Sequence, residues 1–296
     1  MKSWIKKIPY IKQVYDSYRA IEYKKKFATV GYGSFWGVFD TFDAAQAAAP
    51  HTKKIGYNDP DLAKDYRRML EQNNWENTES MIRSYDYPVL FWLKSLLHKN
   101  CNKIIDFGGN VGIHYYTYSQ YLEYPENLEW TICEVPEIAK IGKELGESRA
   151  ANCLFFTSDW DSFNQKDIFI ASGSIQYVQD LATTLDRYAH KPKHLLINRL
   201  PLYDGMRFVT LQNGGQVFYP QFVFNKTEFI ESIRQIGYEL IDLWEDRNDS
   251  CYIPGHQDRS VNCYSGLYAK LKSSIDDDEG KQPVTQLSNA KVITLD

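Results

Sequence analysis

From about residue 101 onwards, short apolar runs alternate with segments whose apolar positions recur every three or four residues. KIIDF, LEWTICE, CLFFTSD, DIFIAS and KHLLINRL read as strands. GIHYYTYSQYL, PEIAKIGKEL, the stretch 179–190 and NKTEFIESIRQIG read as helices. Pro136 sits near the start of one helix, and Gly237 caps the end of another. YELIDLWED and NCYSGLYAKL follow as two strands with no helix between them, so they are expected to pair antiparallel. The alternation predicts an α/β fold over residues 99–271. Its sheet is mostly parallel, with helices on both faces and the last strand antiparallel.

The chain before this region is patterned differently. Residues 28–98 carry Gly31, Gly33 and Gly37 among aromatics (VGYGSFWGVF) and an alanine-rich stretch (DAAQAAAP). Two helical stretches follow, around 60–74 and 78–98, and the whole reads as a helical cap. In residues 1–27, Trp4, Ile5, Ile8, Ile11, Val14, Tyr15, Tyr18 and Ile21 recur at helical spacing, with Pro9 as the helix start. Eight lysines and arginines, Lys2 to Lys26, oppose only Asp16 and Glu22. A basic amphipathic helix suits an anionic membrane surface, and equally a face docked on its own protein. Residues 272–296 hold the acid run Asp276 to Glu279 in a polar, aperiodic tail, expected to be disordered.

Composition narrows the class. A chain of 296 residues with 43% hydrophobic and 24% charged residues is long and apolar enough to bury a core. A net charge of −4 speaks against a dedicated nucleic-acid binder. No apolar run approaches the roughly 18 residues that span a bilayer. Five cysteines without a CxxC pair, and no apolar h-region among the first residues, point to a reducing cytosol. Cys251, His256 and Cys263 match no standard zinc spacing, so no metal is expected. The abundance of Tyr, Phe and Trp (22, 15 and 7) fits ring stacking on a ligand or an aromatic core.

The chemistry concentrates in Asp106-Phe107-Gly108-Gly109-Asn110-Val111-Gly112, where a strand gives way to a helix. Glycines at such a turn let a ligand approach the backbone. The bland alternative is a tight strand–helix turn. A dinucleotide fingerprint would read GxGxxG; here only Gly108, Gly109 and Gly112 are present, two residues after an acid. Asp106 suits a ligand with a cationic amine and opposes a pyrophosphate. Glu134 closes the next strand, where a carboxylate can accept both hydroxyls of a ribose. S-adenosylmethionine carries this arrangement of groups.

With those residues the sequence resembles the class I S-adenosylmethionine-dependent methyltransferases over about residues 100–271. The resemblance implies a Rossmann-like sheet. Asp106, Gly108 and Gly112 match the family's acid-x-Gly-x-Gly-x-Gly loop, with Asn110 in place of the middle glycine; Asn tolerates the left-handed backbone such a turn needs. It implies Glu134 on the ribose and Asp159, beside Trp160, on the adenine amine. Ala171-Ser172-Gly173-Ser174-Ile175-Gln176-Tyr177 resembles the family's segment along the methionine part and the methyl. Many small-molecule members have histidines where Gln176 and Tyr177 stand. The whole chain is also similar to a family of methyltransferases whose members occur in bacterial O-antigen and capsule loci, on GSFWGVFDTFDAA, IGYNDPDLAKDY and DFGGNVG. That resemblance implies a glycan or lipid-linked glycan-precursor acceptor.

Methyl transfer is an in-line displacement, and a sugar hydroxyl needs help from a base. Ligands of open α/β sheets lie at the carboxyl ends of the strands. The connections 172–179, 200–224 and 246–262 belong to that edge and carry Tyr177, Asp204, Arg207 and His256. His256 is the first candidate base, Asp204 the second, with Tyr177 beside them. His114, in the first turn after Gly112, is expected to pack on its helix face. Tyr32, Trp36 and Tyr85 are candidates to cover the acceptor. The expectation is thus an O-methyltransferase of a surface-polysaccharide sugar, cytoplasmic or peripheral on the inner membrane. A nicotinamide-dependent sugar oxidoreductase and a non-catalytic binding protein are the alternatives. Nothing in the pattern sets the oligomeric state.

Overall fold

The computed structural model describes residues 9–72 and 82–272. The expected disordered tail lies almost entirely outside the described residues, as does the start of the helix expected over 78–98. That helix is seen as α4 (Asp86–Leu97), preceded by α1 (Pro9–Ala28), α2 (Phe42–Ala47) and α3 (Pro60–Gln72).

The principal sheet contains β3 (Lys103–Phe107), β4 (Glu129–Cys133), β5 (Leu154–Thr157), β6 (Ile168–Ser172), β7 (His194–Leu200), β11 (Tyr238–Asp246) and β12 (Tyr264–Leu271). Its order is β11-β12-β7-β6-β3-β4-β5. β3 to β7 pair parallel, and β12 runs antiparallel between β7 and β11. The expected Rossmann-like, mostly parallel sheet with an antiparallel last strand is therefore present. Ile168 to Ala171 of β6 are wholly buried, as a strand with both faces covered requires. α5 (Ile113–Tyr118) follows β3, α6 (Pro136–Ser148) follows β4, α7 (Leu181–Asp186) follows β6, and α8 (Lys226–Gln235) precedes β11. Pro136 stands in the first turn of α6, where its missing N–H costs nothing. The Asn225 side chain caps α8 by accepting from Glu228 N at 2.8 Å.

The chain leaves β3 for β4 and β5 on one side and reaches β6 and β7 on the other. That reversal at β3/β6 opens a crevice at the carboxyl edge.

The cap differs from expectation because it is not helical throughout. β1 (Phe35–Phe39) and β2 (Lys54–Ile55) join β8 (Leu202–Tyr203), β9 (Phe208–Asn213) and β10 (Val217–Asn225) in a second sheet, ordered β1-β9-β10-β2, with β8 also on β10. The stretch 200–224, expected as a connection, is thus largely a hairpin. Its turn, Asn213-Gly214-Gly215-Gln216, joins two aromatic and β-branched runs.

Candidate active site

One cleft of about 900 Å³ opens where the second sheet meets the carboxyl edge of the first. Phe107 and Gly108 enter it from β3, Glu134 and Val135 from the end of β4, and Ser158 and Trp160 from beyond β5. Ser172 ends β6, Gly173, Ser174, Gln176 and Tyr177 follow it, and Arg199 lies next to the end of β7. Gln212, Tyr219 and Gln221 of the second sheet form the opposite wall, with Tyr57, Asp249 and Tyr264.

The glycine turn is built for close approach. Gly108 has φ +70°, and a Cβ there would overlap the Ser174 side chain, whose Oγ donates to Phe107 O at 2.6 Å. Asn110, at φ 57°, takes the left-handed conformation expected of it. Its side chain accepts from Val111 N at 2.8 Å, which holds the turn.

Glu134 Oε1 accepts from Asn110 N at 3.1 Å and its Oε2 from Val135 N at 3.0 Å. Burial pushes this carboxyl up to about 7, against the pull of those two N–H groups. A carboxylate so held keeps lone pairs free to accept from a ligand. Val135, Ile138 and Trp160 make an apolar slot beside it.

Asp106 does not face the cleft. Its carboxyl group is wholly buried beneath the turn, so close that a Cβ on Gly109 would lie 2.5 Å from Asp106 Cγ. Trp130 Nε1 donates to Asp106 Oδ2 at 3.3 Å, and His114 Nδ1 lies 3.2 Å from the same oxygen. Gly109 and Gly112 shape this turn without lining the cleft; Gly112, at φ +102°, precedes α5. Gly173 lines the cleft 3.4 Å from the Arg199 guanidinium, measured from a built Cβ. Ser172 and Gln176 line the cleft, with Ser172 Oγ and Gln176 Oε1 buried and without a hydrogen-bond partner among the described residues.

Of the expected catalytic groups only Tyr177 lies in the cleft. Its hydroxyl donates to Gln212 Oε1 at 3.0 Å, and burial drives its pKa well above the ordinary range, which makes it a poor base. His256 is a correction. Cys251 and Val261 pair through backbone hydrogen bonds of 2.8 Å in each direction, with Cys251, Ile253 and Val261 facing inward, and His256 is left exposed at the far tip. Asp204 is likewise exposed, on the turn after β8. Asp159 caps the short 3-10 turn Trp160–Phe163 by accepting from Asp161 N at 2.9 Å, and is exposed beside the cleft rather than lining it. Arg207 lies over the Phe222 ring at 3.9 Å, outside the lining. Trp36 packs near Phe27, whereas Tyr32 does reach the cleft. Among the described residues no three His, Cys, Asp or Glu side chains converge as a metal site would need.

Two groups that sequence reasoning did not single out complete the cleft. Arg199 Nε donates to Asp249 Oδ2 at 2.6 Å, with the Arg199 guanidinium 4.7 Å from the centre of the Tyr85 ring. Burial opposes the Arg199 charge, but Asp249 outweighs it and holds the guanidinium cationic. Arg199 has φ 55°, a strained value for a residue with a side chain. Asp246, nearly inaccessible behind Asp249, has its pKa raised by burial and, further, by the Asp249 charge. The one signal available was position: Arg199 lies next to the end of a parallel strand at the ligand edge. Glu134 and Asp249 are the carboxylates among the described lining residues, Arg199 is the cation, and no histidine is there.

No family model matches the chain, and no curated protein matches its sequence. Among solved structures it is similar to the N-terminal domain of EvdMO1 with SAH bound, at a TM-score of 0.45 and 10% identity over 71% of this chain and 96% of that one. It is also similar to the Burkholderia thailandensis 1,6-didemethyltoxoflavin-N1-methyltransferase, at 0.41 and 15% over 74% and 92%. An S-adenosylmethionine-dependent methyltransferase from Mesorhizobium loti matches at 0.41 and 14% over 63% and 98%.

Proposed function

We propose that the cleft binds S-adenosylmethionine and that the protein transfers a methyl group to a hydroxyl of a glycan or its lipid-linked precursor. The observation that carries this reading is Glu134, a carboxylate on the cleft wall at the end of β4, held by Asn110 N of the glycine turn. A ribose can donate both hydroxyls to it, with the base in the slot of Val135, Ile138 and Trp160. The bare backbone at Gly108 and the unpartnered Ser172 Oγ lie towards the amino-acid end. A dinucleotide fits less well: the cleft's one described cation, Arg199, is already paired with Asp249, so a pyrophosphate meets no free charge.

When bound, the sulfonium compound supplies an electrophilic methyl carbon. The protein's part is to fix the acceptor in line with it and exclude water. Neutral amides and tyrosines (Gln176, Gln212, Gln221, Tyr264) suit a polyhydroxyl acceptor. Asp249 is the lining carboxylate left to take the acceptor hydroxyl's proton, with Arg199 orienting it, as the methyl would pass from sulfur to oxygen and leave a neutral thioether.

Calorimetry with S-adenosylmethionine, and with NAD in parallel, tests the cofactor. Wild type is expected to bind the former, and Glu134→Ala to lose most of that affinity. Equal affinity in the two proteins, or binding of NAD instead, overturns the reading. Incubation with labelled donor and extracted glycans then locates the transferred methyl.

A further inference from the structure

Helix α1 is held to the protein by one side only. Tyr23 donates its hydroxyl to Phe35 O at 2.8 Å, and Phe27 is fully buried, stacked on Phe218 with centroids 5.2 Å apart. At about 100° per residue, Tyr18 lies opposite Phe27 on the helix. Tyr18 and Ile21 accordingly stand out in solvent, 63% and 58% exposed. They belong to the apolar stripe Ile11, Val14, Tyr18 and Ile21, spaced three and four residues apart. The stripe the sequence builds is therefore not the face that packs on the protein at its described end. Exposed apolar side chains continue past the helix with Val30 (81%) and Tyr32 (79%), and Tyr32 lines the cleft.

The charge around this strip is one-sided. Between positions 18 and 32, Arg19, Lys25 and Lys26 oppose Glu22, which pairs with Lys26 at 3.5 Å, while Lys24 lies over the Trp36 ring at 4.7 Å. Such a face repels a second copy of itself and attracts an anionic surface. Ile21 and Val30 have no stacking or hydrogen-bonding group to offer a nucleic acid, whereas aliphatic side chains beside tyrosines suit the boundary between headgroups and acyl chains. No helix among the described residues is long and apolar enough to cross a membrane.

We propose that the outer face of α1, together with Val30 and Tyr32, lies on an anionic lipid surface and holds the mouth of the cleft against it. This last step rests on the acceptor proposed above: a lipid-linked glycan then reaches the cleft without leaving the bilayer.

The test is co-sedimentation of the full chain with phosphatidylcholine vesicles, with and without phosphatidylglycerol. Wild type is expected to pellet with the anionic vesicles and to be released by high salt. Lys25→Glu reverses one charge and is expected to weaken binding by about tenfold or more. Ile21→Asp is expected to abolish it. Both positions are exposed, so the thermal midpoint of each variant should match wild type. Wild type remaining in the supernatant, or variants pelleting as wild type does, overturns the proposal. So does sedimentation velocity showing a dimer that Ile21→Asp splits, with no vesicle binding.

Discussion

His114 Nδ1 and Asp106 Oδ2 lie 3.2 Å apart beneath the glycine turn, with Asp106 wholly buried and neither side chain lining the cleft. Burial disfavours a charged His114, but the attraction and hydrogen bond of Asp106 outweigh it and raise the imidazole's pKa. Asp106 Oδ2 is thus engaged by His114 and Trp130, while its buried Oδ1 has no hydrogen-bond partner among the described residues.

A folded-state pKa raised above the unfolded value of about 6.5 stabilises the fold most below that pH, and the gain is lost as pH rises through the folded value. Asp106→Asn leaves His114 without its counter-charge. The expected loss, read by denaturant titration, is about 3 kcal/mol at pH 6. It should shrink as pH rises through the raised folded value of the imidazole, where the charge is lost in wild type as well. A loss independent of pH would rule out the charged pair.

Glu134 works in the opposite sense on the apo protein. Its carboxyl, raised to about 7 by burial, favours the protonated folded state. Stability therefore falls as pH rises from the unfolded value towards 7, and the cost persists above it. Glu134→Gln is expected to be more stable than wild type at pH 8, by on the order of 2 kcal/mol, and to match it near pH 5. The same variant should bind S-adenosylmethionine about 10–100-fold more weakly. Wild-type affinity should also decline as pH drops below 7, because a neutral acid accepts less well. Thermal melts and calorimetry across pH separate the two effects.

Gly108→Ala probes the turn itself. The substitution places a side chain at φ +70° and drives its Cβ into Ser174, which is anchored by its bond to Phe107 O. A left-handed conformation costs about 1–2 kcal/mol for a residue with Cβ. A stability loss of at least that size is expected, with loss of cofactor binding, both readable in a ligand-dependent thermal shift. Retained binding would show that the turn does not carry the ligand.

The parallel sheet was legible because its inner strands are buried on both faces and read as apolar runs, as in DIFIAS, while the edge strand β5 leaves Phe155 exposed. Asn110 and Glu134 were legible because strand-end and turn positions follow from local sequence. The second sheet was not read, since β1 pairs with β9 across some 170 residues, and only the Gly214-Gly215 hairpin marks it locally. Asp249 escaped for a related reason: its partner Arg199 is brought to it by packing, not by spacing. His256 stood out by residue type and by its place in a loop at the ligand edge, while the inward anchors Cys251, Ile253 and Val261 leave it outside the cleft.

The proton acceptor can accordingly be decided by substitution. With labelled donor and glycan extract, Asp249→Asn is expected to lower turnover by about 100- to 10,000-fold, the range for loss of general-base help. Its affinity for S-adenosylmethionine should stay near wild type, because Glu134 and the glycine turn are untouched. His256→Ala and Asp204→Ala, both exposed and outside the cleft, should retain full turnover. Tyr177→Phe removes the bond to Gln212 Oε1 and is expected to raise KM for the acceptor more than it lowers kcat, since a phenol held this far above neutrality does not act as the base. Full activity in Asp249→Asn alongside an inactive His256→Ala would move the chemistry to the loop at 254–259, and would require that loop to fold over the cleft during turnover.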